Sequence, residues 1–237
     1  MEHIIAQALE QLGLQGRVPA GAAGQLAEYG RLLLEKNQVM NLTAIREEDG
    51  VARLHMLDCA ALLGAADFEG KRLLDVGTGA GFPGLPLKIL VPSLDATLLD
   101  SLGKRVDWLN EVSARLGLAG VRAIHARAEE QANRKDFRDS FDVVTARAVA
   151  DLRLLCELCL PFVRVGGIFL SMKALDCDAE LEGAAHAIKL LGGRVRQVAE
   201  YTVPGTDVTR RAVVIEKVAP TLKGYPRRWA KIQSQPL

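Results

Sequence analysis

Leu73-Leu74-Asp75-Val76-Gly77-Thr78-Gly79-Ala80-Gly81-Phe82-Pro83-Gly84 is an apolar strand that runs into a glycine-rich turn and then a helix. A bulky Cβ in such a turn blocks close approach of the backbone to a ligand, and positive φ favours glycine. Two cofactor classes use this place. Gly79-Ala80-Gly81-Phe82-Pro83-Gly84 satisfies the dinucleotide fingerprint G-x-G-x-x-G literally. Asp75 argues for a cationic ligand instead, because a carboxylate at the strand mouth repels a pyrophosphate and attracts the ammonium and sulfonium of S-adenosylmethionine. Pro83 and Pro86 also remove N–H donors that a pyrophosphate needs. A second reading of Asp75 stays open, in which it only orders the turn through its own hydrogen bonds.

Outward from this turn, short apolar runs alternate with helix-length segments. The strands expected are Arg72–Val76, Ala96–Asp100, Val121–His125, Phe141–Ala146 and Val165–Met172, with helices near 84–91, 104–116, 150–160 and 177–191. Two further runs, Arg194–Val203 and Arg211–Val218, follow without a crossover helix and are expected to pair antiparallel. The pattern predicts an α/β, Rossmann-like fold with a mostly parallel seven-stranded sheet and a closing antiparallel pair. Residues 1–66 read as a helical cap, with apolar stripes at Ile4, Ile5, Ala8, Leu9 and Leu12 and at Leu26, Tyr29, Leu32 and Leu33. The expected division is a cap over 1–66, a cofactor-binding core over 67–220 and a basic tail over 221–237.

The 237 residues are 49% hydrophobic and 25% charged, which excludes a disordered chain and a disulfide-stapled miniature. A net charge of +1 names no partner, but its distribution is uneven. Residues 1–70 carry five basic and ten acidic side chains, 71–220 carry 21 and 19, and 221–237 carry four and none. A tail of that charge suits phosphate. Met1-Glu2-His3-Ile4-Ile5 lacks the basic start of a signal peptide, and no apolar run is long enough to span a membrane. A cytoplasmic protein with no membrane partner is expected. Cys156 and Cys159 form C-x-x-C without a second pair, so they read as buried small hydrophobes on one helix face, and no metal is expected.

Asp100 ends the second strand, where a carboxylate can accept ribose hydroxyls or cap the following helix. Arg127-Ala128-Glu129-Glu130 follows the third strand, where an adenine ring would rest, and Arg147 ends the fourth. Together these pieces resemble the RsmG/GidB family of bacterial 16S ribosomal RNA guanine-N7 methyltransferases. The carrying strings are Asn37-Gln38-Val39-Met40-Asn41-Leu42-Thr43-Ala44-Ile45, His55-Met56-Leu57-Asp58, the stretch from Asp75 to Gly84, and Leu98-Leu99-Asp100-Ser101-Leu102-Gly103-Lys104-Arg105. Ala146-Arg147-Ala148, Tyr225-Pro226-Arg227-Arg228 and the final Pro236-Leu237 complete them. Lys36, Leu54 and Cys59 depart from the usual pattern, all on the cap.

The resemblance implies a class I methyltransferase fold with S-adenosylmethionine as methyl donor and S-adenosylhomocysteine as product. The implied substrate is a guanine near nucleotide 527 of 16S RNA in the small ribosomal subunit. It also implies that Gly77 and Phe82 line the methionine end of the cofactor, that Ala128 and Glu129 meet the adenine, and that Arg147 stands where cofactor and base converge. With Asp75, Gly79 and Asp100 these make the expected cofactor site.

Guanine N7 carries a free lone pair, so its methylation needs alignment and no general base. The chain also lacks a Pro-Cys nucleophile, and its fourth strand does not end in Asn-Pro-Pro-Tyr. Arg147 is the expected holder of the base or its phosphate; an internal clamp is the other reading. His55 and Asp58 share a helix face and either line the substrate side or form a structural pair. Lys173, Arg227 and Arg228, with Lys223, Lys231, Tyr225 and Trp229 around the tail, are the expected RNA contacts, a solvated tail being the alternative. A monomer is expected. The rival classes are a nicotinamide-dependent oxidoreductase, a methyltransferase of another RNA or a small molecule, and a ribosome-assembly binder without turnover.

Overall fold

In the computed structural model, which describes residues 1–147 and 150–237, seven strands form one sheet in the order β3-β2-β1-β4-β5-β7-β6. These are β1 (Arg72–Val76), β2 (Asp95–Asp100), β3 (Val121–His125), β4 (Phe141–Arg147), β5 (Val163–Ala174), β6 (Gly193–Thr202) and β7 (Thr209–Lys217). Strands β1 to β5 pair parallel, while β7 runs antiparallel to both β5 and β6. The central strands are apolar runs because helices cover both faces: Leu73, Leu74, Asp75 and Val76 are all buried. Strand β6 forms the edge, carries Arg194, Arg196, Gln197 and Glu200 toward water, and shifts register between Val195 and Gln197.

The helices are α1 (Glu2–Gln11), α2 (Ala22–Met40), α3 (Glu48–Val51), α4 (Asp58–Ala60), α5 (Gly84–Leu90) and α6 (Gly103–Arg115). Then follow α7 (Ala128–Gln131), α8 (Leu152–Cys159), α9 (Asp178–Gly183), α10 (Ala185–Leu190) and α11 (Trp229–Ser234). Between α3 and α4 the chain winds as a π-helix over Ala52–Leu57. On one face of the sheet α1 and α2 bury Ile5, Leu9, Leu26, Tyr29 and Leu33 in one core with Leu85, Leu87, Leu98 and Leu109. On the other face α8 covers β4 and β5 and α10 packs beside it on β6, with Cys156, Cys159 and Ile232 buried among Phe141, Phe162 and Phe169.

Most expected boundaries shift by a residue or two, and two differences have a visible cause. Strand β5 is longer than Val165–Met172, because β4 supplies ladder partners from Phe141 onward and β7 supplies them as far as Arg210, opposite Ala174. The single helix expected over 177–191 is two short helices parted at Ala184, just after Gly183. Among the described residues no helix is long and apolar enough to cross a membrane.

Candidate active site

The carboxyl ends of β1, β2, β3 and β4 lie side by side, the crevice position where open α/β sheets bind ligands. Here the turn after β1 folds back on the sheet: the Gly77 and Thr78 N–H groups both donate to the Leu99 carbonyl of β2, at 2.8 and 3.1 Å. Gly77, Gly79 and Gly81 have φ of 66°, 61° and 108°. Their surroundings differ. A Cβ on Gly81 would lie 2.7 Å from both Leu85 and the Tyr29 hydroxyl, and one on Gly84 would lie 2.4 Å from Leu98. A Cβ on Gly79 would meet nothing within 4 Å. Gly81 and Gly84 therefore serve close packing, and Gly79 presents bare backbone to open space. That cradle fits a ligand held by main-chain contacts.

Asp75 matches the second of its two readings, the one in which it orders the turn. Its carboxylate is wholly buried and turned into the sheet, where it accepts from the Thr78 hydroxyl (2.6 Å), the Gly84 N–H (3.0 Å) and the Thr145 hydroxyl (3.0 Å). Burial pushes its pKa up to about 6, against those three hydrogen bonds, which favour the carboxylate. With no open face it attracts no cation directly; it braces the turn. Asp100 does reach the crevice end of β2. It accepts from the Gly79 N–H and the Leu102 N–H, both at 2.9 Å, with the Arg105 guanidinium 3.6 Å away. A carboxylate has about four acceptor positions, so two are not taken by those N–H groups, although the side chain is only 3% exposed.

Phe82 is likewise engaged within the chain. Its ring is covered by Tyr29 at 5.3 Å, by the His55 ring at 4.5 Å and by the Arg147 guanidinium at 4.8 Å. The ring is a platform, and its backbone is what remains for a cofactor.

Arg147, at the end of β4, joins the sheet to the cap. It donates to the Leu54 carbonyl (3.3 Å), to Asp58 Oδ2 (3.4 Å) and to His55 Nδ1 (3.1 Å). Asp58 is buried and takes a further 2.8 Å hydrogen bond from the Tyr201 hydroxyl of β6. Burial raises the Asp58 pKa while Arg147 and Tyr201 oppose the rise. The internal clamp is thus realised, and the clamped guanidinium also lines a cleft of about 440 Å³ with Leu54, His55, Asp58, Lys173 and Arg210. Arg210 is a feature that sequence reasoning missed. Its Nε is buried without a hydrogen-bond partner among the described residues.

Lys173 and Arg227 both have acidic partners within the chain. The Lys173 ammonium is engaged by Glu180 and by the Ala150 carbonyl at 3.0 Å, so its charge is neutralised within the wall. Arg227 makes a two-pronged pair with the buried Glu157, Nε to Oε1 at 2.8 Å and Nη2 to Oε2 at 2.6 Å. It fastens the C-terminal segment to α8. Tyr225 and Trp229 pack partly into the core, leaving Arg228, Lys223 and Lys231 exposed. Arg228 and Glu129 border a second cleft, of about 540 Å³, with Arg127 and Trp229. Ala128 opens α7 beside it. His125 contacts only the Ser101 carbonyl, at 3.0 Å, among the described polar partners. Ala148, part of one motif above, lies outside the described residues.

The family model described as "rRNA small subunit methyltransferase G", GidB, matches residues 22–209. The chain belongs to the GidB family. A ribosomal RNA small subunit methyltransferase G from Lachnoclostridium phytofermentans is 47% identical over 90% of this chain and 88% of its own length. Another, from Clostridium beijerinckii, is 40% identical over 99% of this chain and 98% of its own. Among solved structures, TrmN from Thermus thermophilus superposes with a TM-score of 0.52 at 25% identity, covering 68% of this chain and 48% of that one. A SAM-dependent methyltransferase from Aquifex aeolicus gives 0.53 at 19% identity, covering 71% and 93%. This GidB-family chain thus has the fold of S-adenosylmethionine-dependent methyltransferases, and its literal G-x-G-x-x-G string belongs to that fold.

Proposed function

We propose that the chain transfers a methyl group from S-adenosylmethionine to N7 of a guanine in small-subunit ribosomal RNA, the guanine near nucleotide 527 of 16S RNA. The observation that carries this reading is the placement of Arg147, which lies on the Phe82 platform of the glycine turn and on the wall of an open cleft at once. The residues fit the cofactor: Gly77 and Gly79 for the methionine end, Asp100 for the ribose, and Ala128 and Glu129 beside the adenine. When bound, the cofactor supplies an electrophilic methyl on a sulfonium centre. The chain's own task is to hold the base. Arg147 donates to O6 or to a phosphate and leaves the N7 lone pair free, and Arg210 adds a second guanidinium for phosphate on the same wall.

His55 is unsuited to act as a base, because both its nitrogens already have partners, Arg147 and Thr43. That agrees with a nucleophile needing no deprotonation. Arg228, with Lys223 and Lys231, gives the C-terminal segment exposed cations for the RNA backbone.

The test uses the purified chain, labelled S-adenosylmethionine and unmethylated small subunits. Label at N7 of one guanine is expected. No label, or label on another atom, overturns the reading.

A further inference from the structure

The string Asn37–Ile45 is given no contact with cofactor or substrate in the reading above, yet it leads to the cleft by an unbroken series of hydrogen bonds. We propose that Asn37 and Thr43 are positioning residues, which fix the His55 ring in the one tautomer able to accept from Arg147 and so hold that guanidinium at the cleft. The proposal rests on the reading of Arg147 as the group that positions substrate.

Helix α2 ends with Asn41 in the left-handed region, φ 50°. The Asn37 side chain reaches past that end and grips the loop. Its Oδ1 accepts from the Leu42 and Thr43 N–H groups at 2.7 and 2.9 Å, and its Nδ2 donates to the Thr43 carbonyl at 2.9 Å. One amide thus clamps the Thr43 backbone on both sides and aims its hydroxyl at the His55 Nε2, 2.7 Å away.

Proton accounting then fixes the ring. A guanidinium only donates, so His55 Nδ1, 3.1 Å from Arg147, must accept. In the neutral ring the proton therefore sits on Nε2 and is donated to Thr43 Oγ1. That oxygen also accepts from the Ile45 N–H at 3.1 Å, so both its lone pairs are used. Burial and the neighbouring Arg147 charge lower the His55 pKa to about 3, which keeps the ring neutral. The opposite tautomer would set an N–H against the guanidinium. Removing the Thr43 oxygen leaves the Nε2 proton without its acceptor, so the ring no longer gains from this tautomer on that side and Arg147 loses a fixed acceptor at Nδ1.

The test compares Thr43→Val, which keeps the side-chain shape, with Thr43→Ser, which keeps the oxygen, by ¹⁵N spectra of the histidine rings and methylation of small subunits. In Thr43→Val the Nε2–H signature of His55 is expected to be lost and kcat/KM for subunits to fall up to about 100-fold. S-adenosylhomocysteine affinity is expected to change less than about twofold, and Thr43→Ser to restore both readouts. A Thr43→Val protein that keeps the Nε2–H signature, or loses it and methylates at the wild-type rate, overturns the proposal. Arg147→Ala separates this from failure of the reading beneath it. If Arg147→Ala methylates normally, the role of Arg147 itself falls; if it is inactive while Thr43→Val is normal, only the positioning role falls.

Discussion

The Tyr29 hydroxyl, on the second helix of the cap, donates to the Ala80 carbonyl in the middle of the glycine turn, and its ring lies 5.3 Å from that of Phe82. The cofactor turn is therefore held from above by the cap and from below by Asp75. Tyr29 is fully buried, so removing only its hydroxyl leaves the Ala80 carbonyl unpaired at a cost of about 1–2 kcal/mol. Tyr29→Phe is expected to lower stability by that amount in urea denaturation and to weaken S-adenosylhomocysteine binding in calorimetry. Unchanged affinity would show that the cap does not hold the turn.

Substitution at two glycines of the turn should separate binding from folding. Gly79→Ala introduces strain of about 1 kcal/mol at φ 61° but no clash, so its main effect falls on cofactor affinity. Gly81→Ala drives a methyl to 2.7 Å from the Tyr29 hydroxyl and Leu85, and should cost about 2–4 kcal/mol of stability. Thermal melts with and without S-adenosylhomocysteine check both: the ligand-induced rise in melting temperature should shrink for Gly79→Ala, while the unliganded melt should drop further for Gly81→Ala.

What the sequence made legible was local or periodic. The strand, turn and helix around Asp75 could be read because parallel strands buried on both faces leave apolar runs and positive φ leaves glycines. The shared face of His55 and Asp58 followed from their spacing, and they do meet one guanidinium. Partners far apart in the chain left no such trace. Tyr201 reaches Asp58 across 143 residues and Arg147 reaches His55 across 92. The partners of Lys173 and Arg227 left no trace for the same reason, since a count of charges does not show that Glu180 and Glu157 already engage them. Thr43 was visible only as part of a string, because its role depends on which nitrogen of His55 carries the proton.

The C-terminal segment offers a contrast between adjacent arginines. Arg227→Ala leaves the Glu157 carboxylate buried without its partner, and a loss of about 3 kcal/mol is expected, with part recovered when Glu157→Gln is added. Arg228 is exposed and makes no ion pair among the described residues, so Arg228→Ala should change stability by less than about 0.5 kcal/mol. If Arg228 meets the RNA backbone, its loss should also reduce the slope of log affinity against log salt by about 1. Denaturation curves and binding to small subunits over a salt series distinguish the two roles. Equal stability losses for both variants would contradict this division.

Stability should depend on pH through His55 with a definite sign. Its folded pKa is lowered to about 3 from 6.5, so between those values the unfolded chain binds the proton and the folded one does not. The stabilising contribution is therefore complete above about 6.5 and is lost as pH falls toward 3. Asp75 acts with the opposite sign. Its folded pKa is raised from 3.8 to about 6, so the folded chain takes the proton first and stability falls as pH rises through that window. Comparison with His55→Gln cancels Asp75, which both proteins share. Below about 6.5 the wild type should lose stability relative to the variant with a slope approaching about 1.4 kcal/mol per pH unit. Urea denaturation at stepped pH measures this difference, and a gap between the two proteins that stays constant as pH falls would mean that His55 does not need to be neutral to hold Arg147.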